Sequence, residues 1–273
     1  MDQEQALEIM KMGHNVFLTG APGSGKTYLL KKYISELTER GIKVAVTAAT
    51  GIAATHLNGR TIHSWSGIGI NDQMTDREIE NLTKREYLKQ HYRDTEVLIL
   101  DEVSMLSAKQ LDMIDRVAKA FKNNKLPFGG MQVILSGDFF QLPPVASKKQ
   151  TPKLVSKSHI WKEMDIKICY LNNQFRHKDN KLSKLLSEIR QNDIKQESKE
   201  LLAKKLNEQK QEDTTKLYTH NKDVDQINRK RLNRISNEAQ NFEMDTDGNS
   251  KLADKLKQGS LAQEKLQLKK SAL

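Results

Sequence analysis

The sequence predicts an α/β fold in which a parallel sheet is flanked by helices. Short apolar runs recur through the first 172 residues, helix-like stretches separate them, and one run leads into the glycine-rich segment "GAPGSGKT". Short runs rich in Val, Ile and Leu are typical of buried parallel strands, which need crossover helices to connect them. The alternation therefore favours a single sheet with helices on its faces.

The predicted elements follow in chain order. The strands are residues 15–19, 42–47, 97–102, 131–138 and 166–171. The clearest helices between them are residues 26–39 and 107–122. Lysine-rich helical segments then follow at 180–191, 197–210 and 221–236, with one short strand candidate at 216–219 and a polar stretch typical of a loop or weak helix at 237–260. This change of pattern predicts two domains, residues 1–172 and a thinner one at 173–273.

Composition limits the class of protein. Of the 273 residues, 37% are hydrophobic and 29% are charged, as in globular proteins. No apolar run approaches the ~20 residues that span a bilayer and no signal peptide is evident, so we expect no membrane partner. The single Cys169 excludes an internal disulfide and a cysteine zinc cluster, and it favours a reducing cytoplasm.

Net charge is distributed unevenly along the chain. Residues 1–145 hold 17 Lys and Arg against 17 Asp and Glu, so residues 146–273 carry the whole net charge of +10. Such asymmetry suggests a polyanionic partner near the C-terminal part. A solvated, lysine-rich helical surface is an equally good interpretation.

The segment "GAPGSGKT" matches the P-loop pattern at every fixed position. Its glycines permit a tight turn whose backbone N–H groups point at phosphate oxygens. Lys26 would reach the terminal phosphates of ATP, and the Thr27 hydroxyl would bind Mg²⁺. The predicted ATP-binding residues of this loop are Gly20, Ala21, Pro22, Gly23, Ser24, Gly25, Lys26 and Thr27.

An acidic pair ends the predicted strand "VLILDE". Asp101 would hold Mg²⁺ through water, and Glu102 would orient and deprotonate the attacking water. Such a pair is as often a solvated turn, but beside an intact P-loop it favours hydrolysis. Near the amino terminus, Gln5 is a candidate for reading adenine, with Gln3 as a rival and an ordinary surface glutamine as the default.

Two further segments follow predicted strands. "VTAATGIAATHLNGRTIHSW" is rich in small hydroxyl residues, which suit phosphate contacts on a single nucleic-acid strand, and its Trp65 offers a ring for base stacking. On this stretch alone, a buried Trp65 and helix-capping threonines are the simpler interpretation. In "GDFFQLPPV", Gln141 would sense the terminal phosphate, although an ordinary loop glutamine fits the same pattern.

Five separated segments together resemble the petite-integration-frequency DNA helicases of superfamily 1. They are "GAPGSGKT", "TAATGIAATHLNGRTIHSWSGIGI", "LILDEVSML", "GDFFQLPPV" and "CYLNNQFR". The segments occur in the order and at the spacings of that family, and the resemblance covers roughly residues 1–230. It implies two RecA-like domains with ATP between them, in an ATP- and Mg²⁺-dependent motor that tracks single-stranded DNA from 5′ to 3′ in genome maintenance. In a bacterium this motor would lie at the nucleoid.

The resemblance also assigns residues to roles. The catalytic residues would be Lys26, Glu102, Gln141 and Arg176, the last inserted by the second domain toward the terminal phosphate. The strand contacts would be Thr50, Gly51, His63 and Ser64, beside the ring of Trp65. Ala49 departs from the family, which often has a proline there; we expect this to loosen the turn without changing its chemistry.

The C-terminal part also departs from the family pattern. In the family an inserted barrel, a second DNA-contacting motif and a further arginine motif follow. None of them is found in this sequence, so we expect a partial second RecA-like domain. A second polypeptide or a further C-terminal region would complete the motor. Two alternatives stay open: an ATP- and DNA-binding module that does not unwind, and a P-loop ATPase that remodels proteins, which the strand-contact segment and basic second half disfavour.

Overall fold

The computed structural model of the chain shows a parallel sheet. It describes residues 1–69, 73–144, 152–175, 180–207, 215, 217–218, 221–248, 253, 257 and 263–272. Six parallel strands lie in the order β3-β2-β4-β5-β1-β6. They are β1 (Val16–Gly20), β2 (Val44–Ala48), β3 (Arg60–Thr61), β4 (Val97–Asp101), β5 (Gln132–Ser136) and β6 (Lys167–Leu171). The predicted fold class is confirmed, and all five strands predicted within residues 1–172 are present; the two-residue β3 was not predicted.

Helices connect the strands. They are α1 (Gln3–Lys11), α2 (Lys26–Glu39), α3 (Gly51–His56), α4 (Ile62–Ser66), α5 (Asp76–Thr83), α6 (Glu86–Asp94), α7 (Ala108–Lys122), α8 (His159–Glu163), α9 (Asn180–Gln191) and α10 (Gln196–Asn207). The two helices that the sequence indicated most clearly, α2 and α7, lie within a residue of their predicted bounds. The described helices are all too short or too polar to cross a membrane.

Two apolar clusters cover the two faces of the sheet. Phe17 and Leu98 face one cluster, whereas Leu18 and Ile99 face the other. This follows from the alternation of side chains along a strand, and it leaves β1 and β4 buried throughout. The sheet is thus a rigid frame for the loops at its ends.

The chain separates into two compact units, Met1–Glu200 and Leu201–Leu273. The sequence predicts a division after residue 172, whereas the first compact unit extends to Glu200 and includes α9, whose Arg190 pairs with Asp138. The second unit contains α11 (Asn221–Arg234) and an antiparallel ribbon of β7 (Ala239–Glu243) and β8 (Lys265–Lys269).

Two sequence predictions for the second unit differ from the structure. The polar stretch 237–260 was expected to be a loop or weak helix, but β7 lies within it. Its partner β8 lies outside that stretch, so the local pattern gave no sign of the pairing. Of the strand predicted at 216–219, only Leu217 and Tyr218 are described, and they are not in a strand.

Candidate nucleotide and DNA site

Three residues of the predicted nucleotide site lie at the ends of three adjacent strands. Lys26 comes after β1, Asp101 ends β4, and Gln141 follows β5, which pairs with both β1 and β4. Parallel strands end at the same edge of a sheet, so the topology brings these segments together at the carboxyl edge, where α/β sheets bind ligands.

The P-loop turn requires glycine at two positions. Gly25 precedes α2 with a φ of 88°, and a Cβ atom there would overlap the side-chain amide of Gln3. A Cβ atom on Gly20 would lie 2.7 Å from the carbonyl oxygen of Leu171 in β6. Any side chain at these positions would therefore distort the loop.

Lys26 is folded into the loop. Its Nζ donates to the carbonyl oxygens of Gly20 at 2.8 Å and Ala21 at 3.3 Å, and the residue is 9% exposed. Burial lowers the pKa of Lys26, although nearby carboxylates, Asp138 foremost, oppose the shift. The ammonium group can therefore exchange carbonyl partners for phosphate oxygens without entering bulk water.

The loop fits a phosphate group and a metal ion. The Ser24 hydroxyl is buried without a hydrogen-bond partner, as expected for a group that awaits a ligand. Thr27 is half-buried in the first turn of α2. Among the described residues no group of three or more His, Cys, Asp or Glu side chains can hold a metal. Mg²⁺ commonly uses one or two protein oxygens together with phosphates, which Thr27 and Asp101 suit.

Asp101 and Glu102 differ in environment. Asp101 is 4% exposed, and burial raises its pKa, opposed by the Glu102 N–H, which donates to its Oδ1 at 2.9 Å, and by Lys26. Glu102 is half-exposed and has a φ of 53° and a ψ of 40°. This left-handed conformation costs a non-glycine residue ~1 kcal/mol or more and is frequent at functional sites.

A buried ion pair lies beside Gln141. The carboxylate of Asp138 accepts from Nη1 of Arg190 at 2.7 Å and from Nη2 at 2.9 Å. Burial acts to raise the pKa of Asp138, but Arg190 and the Phe140 N–H outweigh it, so the pKa lies below its ordinary value. The Gln141 N–H donates to the Asp138 carbonyl at 2.9 Å, and its side-chain amide lies 3.5 Å from the carboxylate. Sequence reasoning assigned no role to Asp138 or Arg190.

The two amino-terminal glutamines differ in position. Gln3 donates its side-chain amide to the carbonyl oxygens of Ser24 at 3.3 Å and Gly25 at 3.5 Å. Gln5 is exposed, and its Oε1 accepts from the Asp2 N–H in the capping box of α1. Gln3, the rival candidate, is therefore the glutamine that touches the P-loop, while the adenine role of Gln5 stays a prediction without a supporting contact.

The predicted strand contacts lie at the same edge of the sheet. Thr50 caps α3 two residues after β2, and His63 lies in α4 two residues after β3. Ala48 pairs with Thr61 in parallel register, which brings the beginnings of α3 and α4 together. Gly51 and Ser64 are exposed there.

Trp65 lies in the core, which corrects the interpretation of its ring as a base-stacking surface. Its ring is 5% exposed and packs 4.7 Å from the ring of Tyr92, measured between centroids, inside an apolar cluster. A base cannot stack on a ring whose faces are already covered. The simpler interpretation of this residue, a core tryptophan, therefore fits the structure.

Ala49 and Gln110 add contacts that the sequence did not indicate. The Ala49 N–H donates to the Asp101 carbonyl at 3.0 Å, a bond that proline cannot make. The family departure therefore ties β2 to the acidic end of β4. Gln110 Nε2 lies 3.4 Å from His63 Nε2. Arg176 lies outside the described residues.

Known proteins match this chain along its length. A family model described as PIF1-like helicase matches residues 2–215. The ATP-dependent DNA helicase Pif1 of Psychrobacter sp. is 43% identical over 282 residues, covering 100% of this chain and 43% of the relative. The ATP-dependent DNA helicase PIF1 of Homo sapiens is 34% identical over 277 residues, with the same two shares. The chain spans about two fifths of the length of these curated relatives.

Solved structures agree. Pif1 helicase from Candida albicans matches with a TM-score of 0.82 and 30% identity, covering 98% of this chain and 62% of that one. Pif1 helicase from Bacteroides in complex with ADP-AlF3 and ssDNA matches with a TM-score of 0.74 and 28% identity, covering 98% and 63%. The family resemblance of the five sequence segments is thereby confirmed: the chain belongs to the PIF1-like helicase family.

Proposed function

We propose that this chain is the ATP-binding part of a DNA-stimulated ATPase that tracks single-stranded DNA from 5′ to 3′ in genome maintenance. One observation carries the proposal: the P-loop lysine, an acidic strand end and a glutamine loop converge at the ends of β1, β4 and β5. A cradle, a base and a sensor are what hydrolysis of a terminal phosphate requires.

The nucleotide site would work through five residues. Lys26 leaves its loop carbonyls for the terminal phosphates, and the Ser24 hydroxyl gains a phosphate partner. Thr27, and Asp101 through water, would hold Mg²⁺, which would supply positive charge beside the phosphates. Glu102, half-exposed beside the buried Asp101, takes the proton of the attacking water. Because ionised Asp101 is disfavoured by burial, a metal ion is the natural partner for its charge.

Gln141 and Arg176 complete the proposed catalytic set. Gln141 lies beside the buried Asp138 carboxylate. That carboxylate is close enough to the P-loop to favour the charged form of Lys26. Its amide would report the terminal phosphate. Arg176 would add a positive charge as the transition state develops, worth ~10³ to 10⁵ in rate in related enzymes.

The proposed DNA-binding role is supported by a second set of residues, which lie at the same edge of the sheet. Exposed Gly51 and Ser64, with Thr50 and His63, form a polar edge beside the nucleotide site. The Bacteroides relative has been solved with ssDNA. The excess positive charge after residue 145 suits the same polyanion. With DNA as partner, we place the protein in the cytoplasm, at the nucleoid in a bacterium.

Steady-state ATPase activity with and without a single-stranded oligonucleotide tests this function. We expect slow turnover that DNA stimulates, and little unwinding by these 273 residues alone, because they span only part of their relatives; a second polypeptide or further region would complete the motor. Binding of ATP and DNA without turnover would instead indicate a non-unwinding module. Turnover indifferent to DNA would indicate a protein remodeller.

A further inference from the structure

We propose that Arg190 is a positioning residue for the phosphate sensor, and that it links the Gln141 loop to helices α9 and α10. This inference rests on the proposed function of Gln141. Arg190 lies 49 positions beyond Gln141 in the chain, yet it forms the ion pair that organises the sensor loop.

The geometry of the pair requires arginine. Both terminal nitrogens contact the Asp138 carboxylate, at 2.7 and 2.9 Å, and the guanidinium carbon lies 4.4 Å from the centre of the Phe140 ring. A planar fork can form two such bonds while it stacks on a ring, whereas a lysine ammonium cannot. Asp138 is 1% exposed, so loss of Arg190 would leave a buried charge without its main partner.

Asp138 in turn fixes the sensor loop. Its Oδ1 accepts from the Phe140 N–H at 3.1 Å, and its carbonyl accepts from the Gln141 N–H at 2.9 Å. Two consecutive amides are thereby held by one residue, and the path of the backbone into Gln141 is set by Asp138. Whatever holds the Asp138 carboxylate therefore determines where the Gln141 side chain begins.

The other end of the linkage is α9. Glu188, 7% exposed and two residues before Arg190, accepts from the Lys195 N–H at 2.9 Å just before α10 begins. Lys184 of α9 pairs with Glu197 of α10 at 2.6 Å. The helix that carries Arg190 thus also anchors the start of α10.

These contacts form a continuous connection from the sensor loop to the first turn of α10. If the loop moves when the terminal phosphate is lost, then either α9 moves with it or the Arg190–Asp138 pair breaks. A buried ion pair is weak evidence for stability alone, because its desolvation offsets its attraction. The position of this pair between a phosphate sensor and a connecting helix favours a positioning role.

The test uses Arg190→Gln and Arg190→Lys in the 273-residue chain. For Arg190→Gln we expect kcat of DNA-stimulated ATP hydrolysis to fall by about ten- to a hundred-fold, the usual effect of a misplaced group, while KM for ATP changes by less than about threefold. Arg190→Lys keeps the charge without the fork and should recover only part of kcat. Arg116→Gln is the matched control, because Arg116 pairs with the exposed Asp76 at 2.6 Å in α5.

Amide hydrogen exchange of residues 138–142 provides a readout that needs no activity. The Phe140 and Gln141 amides should exchange faster in Arg190→Gln and stay unchanged in Arg116→Gln. Unchanged exchange in Arg190→Gln would overturn the proposal. Faster exchange with an unaltered kcat would also overturn it, as would a loss of ATP affinity as large as the loss of kcat. If the unmodified chain does not hydrolyse ATP, the proposed function fails, and exchange at these two amides still decides whether Arg190 holds the loop.

Discussion

The side-chain amide nitrogen of Gln110, which can donate a hydrogen bond, lies 3.4 Å from Nε2 of His63. Gln110 Oε1 already accepts from the Ser107 N–H at 3.0 Å, so the Nε2 group faces the imidazole. In this arrangement the Gln110 Nε2–H group can donate to His63 Nε2 when that ring nitrogen carries no proton. Gln110, in the helix α7 that follows the acidic pair, therefore orients His63, one of the predicted DNA-contacting residues.

We expect Gln110→Ala to weaken binding of single-stranded DNA about two- to tenfold, the worth of one hydrogen bond, with ATP affinity unchanged. Fluorescence anisotropy with a labelled oligonucleotide measures this. Gln110→Glu keeps the acceptor for Ser107 but removes the donor, so it should weaken binding as well. If only the alanine variant were affected, the cap of α7 would be responsible rather than His63.

Gln3 and Gln5 should separate nucleotide binding from helix capping. Gln3 contacts the P-loop, so Gln3→Ala should lower ATP affinity about two- to tenfold. Gln5→Ala should cost roughly 0.5–1 kcal/mol of unfolding free energy, because it removes half of a capping box, and it should lower ATP affinity only if Gln5 reads adenine. Calorimetric ATP titration and urea denaturation measure both. A loss of ATP affinity in Gln5→Ala alone would support the predicted adenine role of Gln5.

Lys26→Met should abolish ATP binding and yet stabilise the nucleotide-free chain near neutral pH. Burial lowers the pKa of Lys26 in the folded state, whereas the unfolded lysine titrates near 10.5. Between the folded and unfolded pKa values of Lys26, the unfolded chain keeps a proton that the folded chain has released. The free energy of unfolding of the unsubstituted chain therefore increases as pH rises through this range.

Thermal melts from pH 7 to pH 10.5 test the lysine prediction. The variant should melt at a higher temperature than the unsubstituted chain at pH 7, and the difference should shrink as pH rises. Lys31→Met, at an exposed position of α2, is the control. A difference that grew with pH would contradict the argument.

Glu102→Gln should keep ATP binding and lower turnover by ~10² or more, because the amide cannot accept the proton of the attacking water. A phosphate-release assay and a nucleotide titration on one preparation measure the two effects. Glu86→Gln, in the first turn of α6, controls for a change of net charge. Normal turnover in Glu102→Gln would show that the base lies elsewhere.

Trp65 should behave as a core residue. Trp65→Ala should lower the unfolding free energy by ~3–5 kcal/mol, while Trp65→Phe retains most of the packing on Tyr92. We expect Trp65→Phe to bind single-stranded DNA as the unsubstituted chain does. Weakened DNA binding by a variant that melts normally would instead support the stacking role.

Much of this molecule follows from local sequence. The strands β1 and β4 are buried on both faces, so uninterrupted apolar runs reveal them, and the P-loop and acidic pair lie where those runs end. Backbone geometry makes such features local: glycines permit the turn at 20–27, and α2 begins directly after it. The fold class, the family and the proposed nucleotide residues were therefore predictable.

Tertiary structure decided what depends on distant partners. Trp65 is buried because Tyr92 covers it, and β7 exists because β8 pairs with it. The Arg190–Asp138 pair joins residues 52 positions apart. Neither hydrogen bonding nor burial leaves a periodic mark when the partner is far along the chain. The sequence alone therefore determined the P-loop, and only the folded chain determined which side chains hold the Gln141 loop in place.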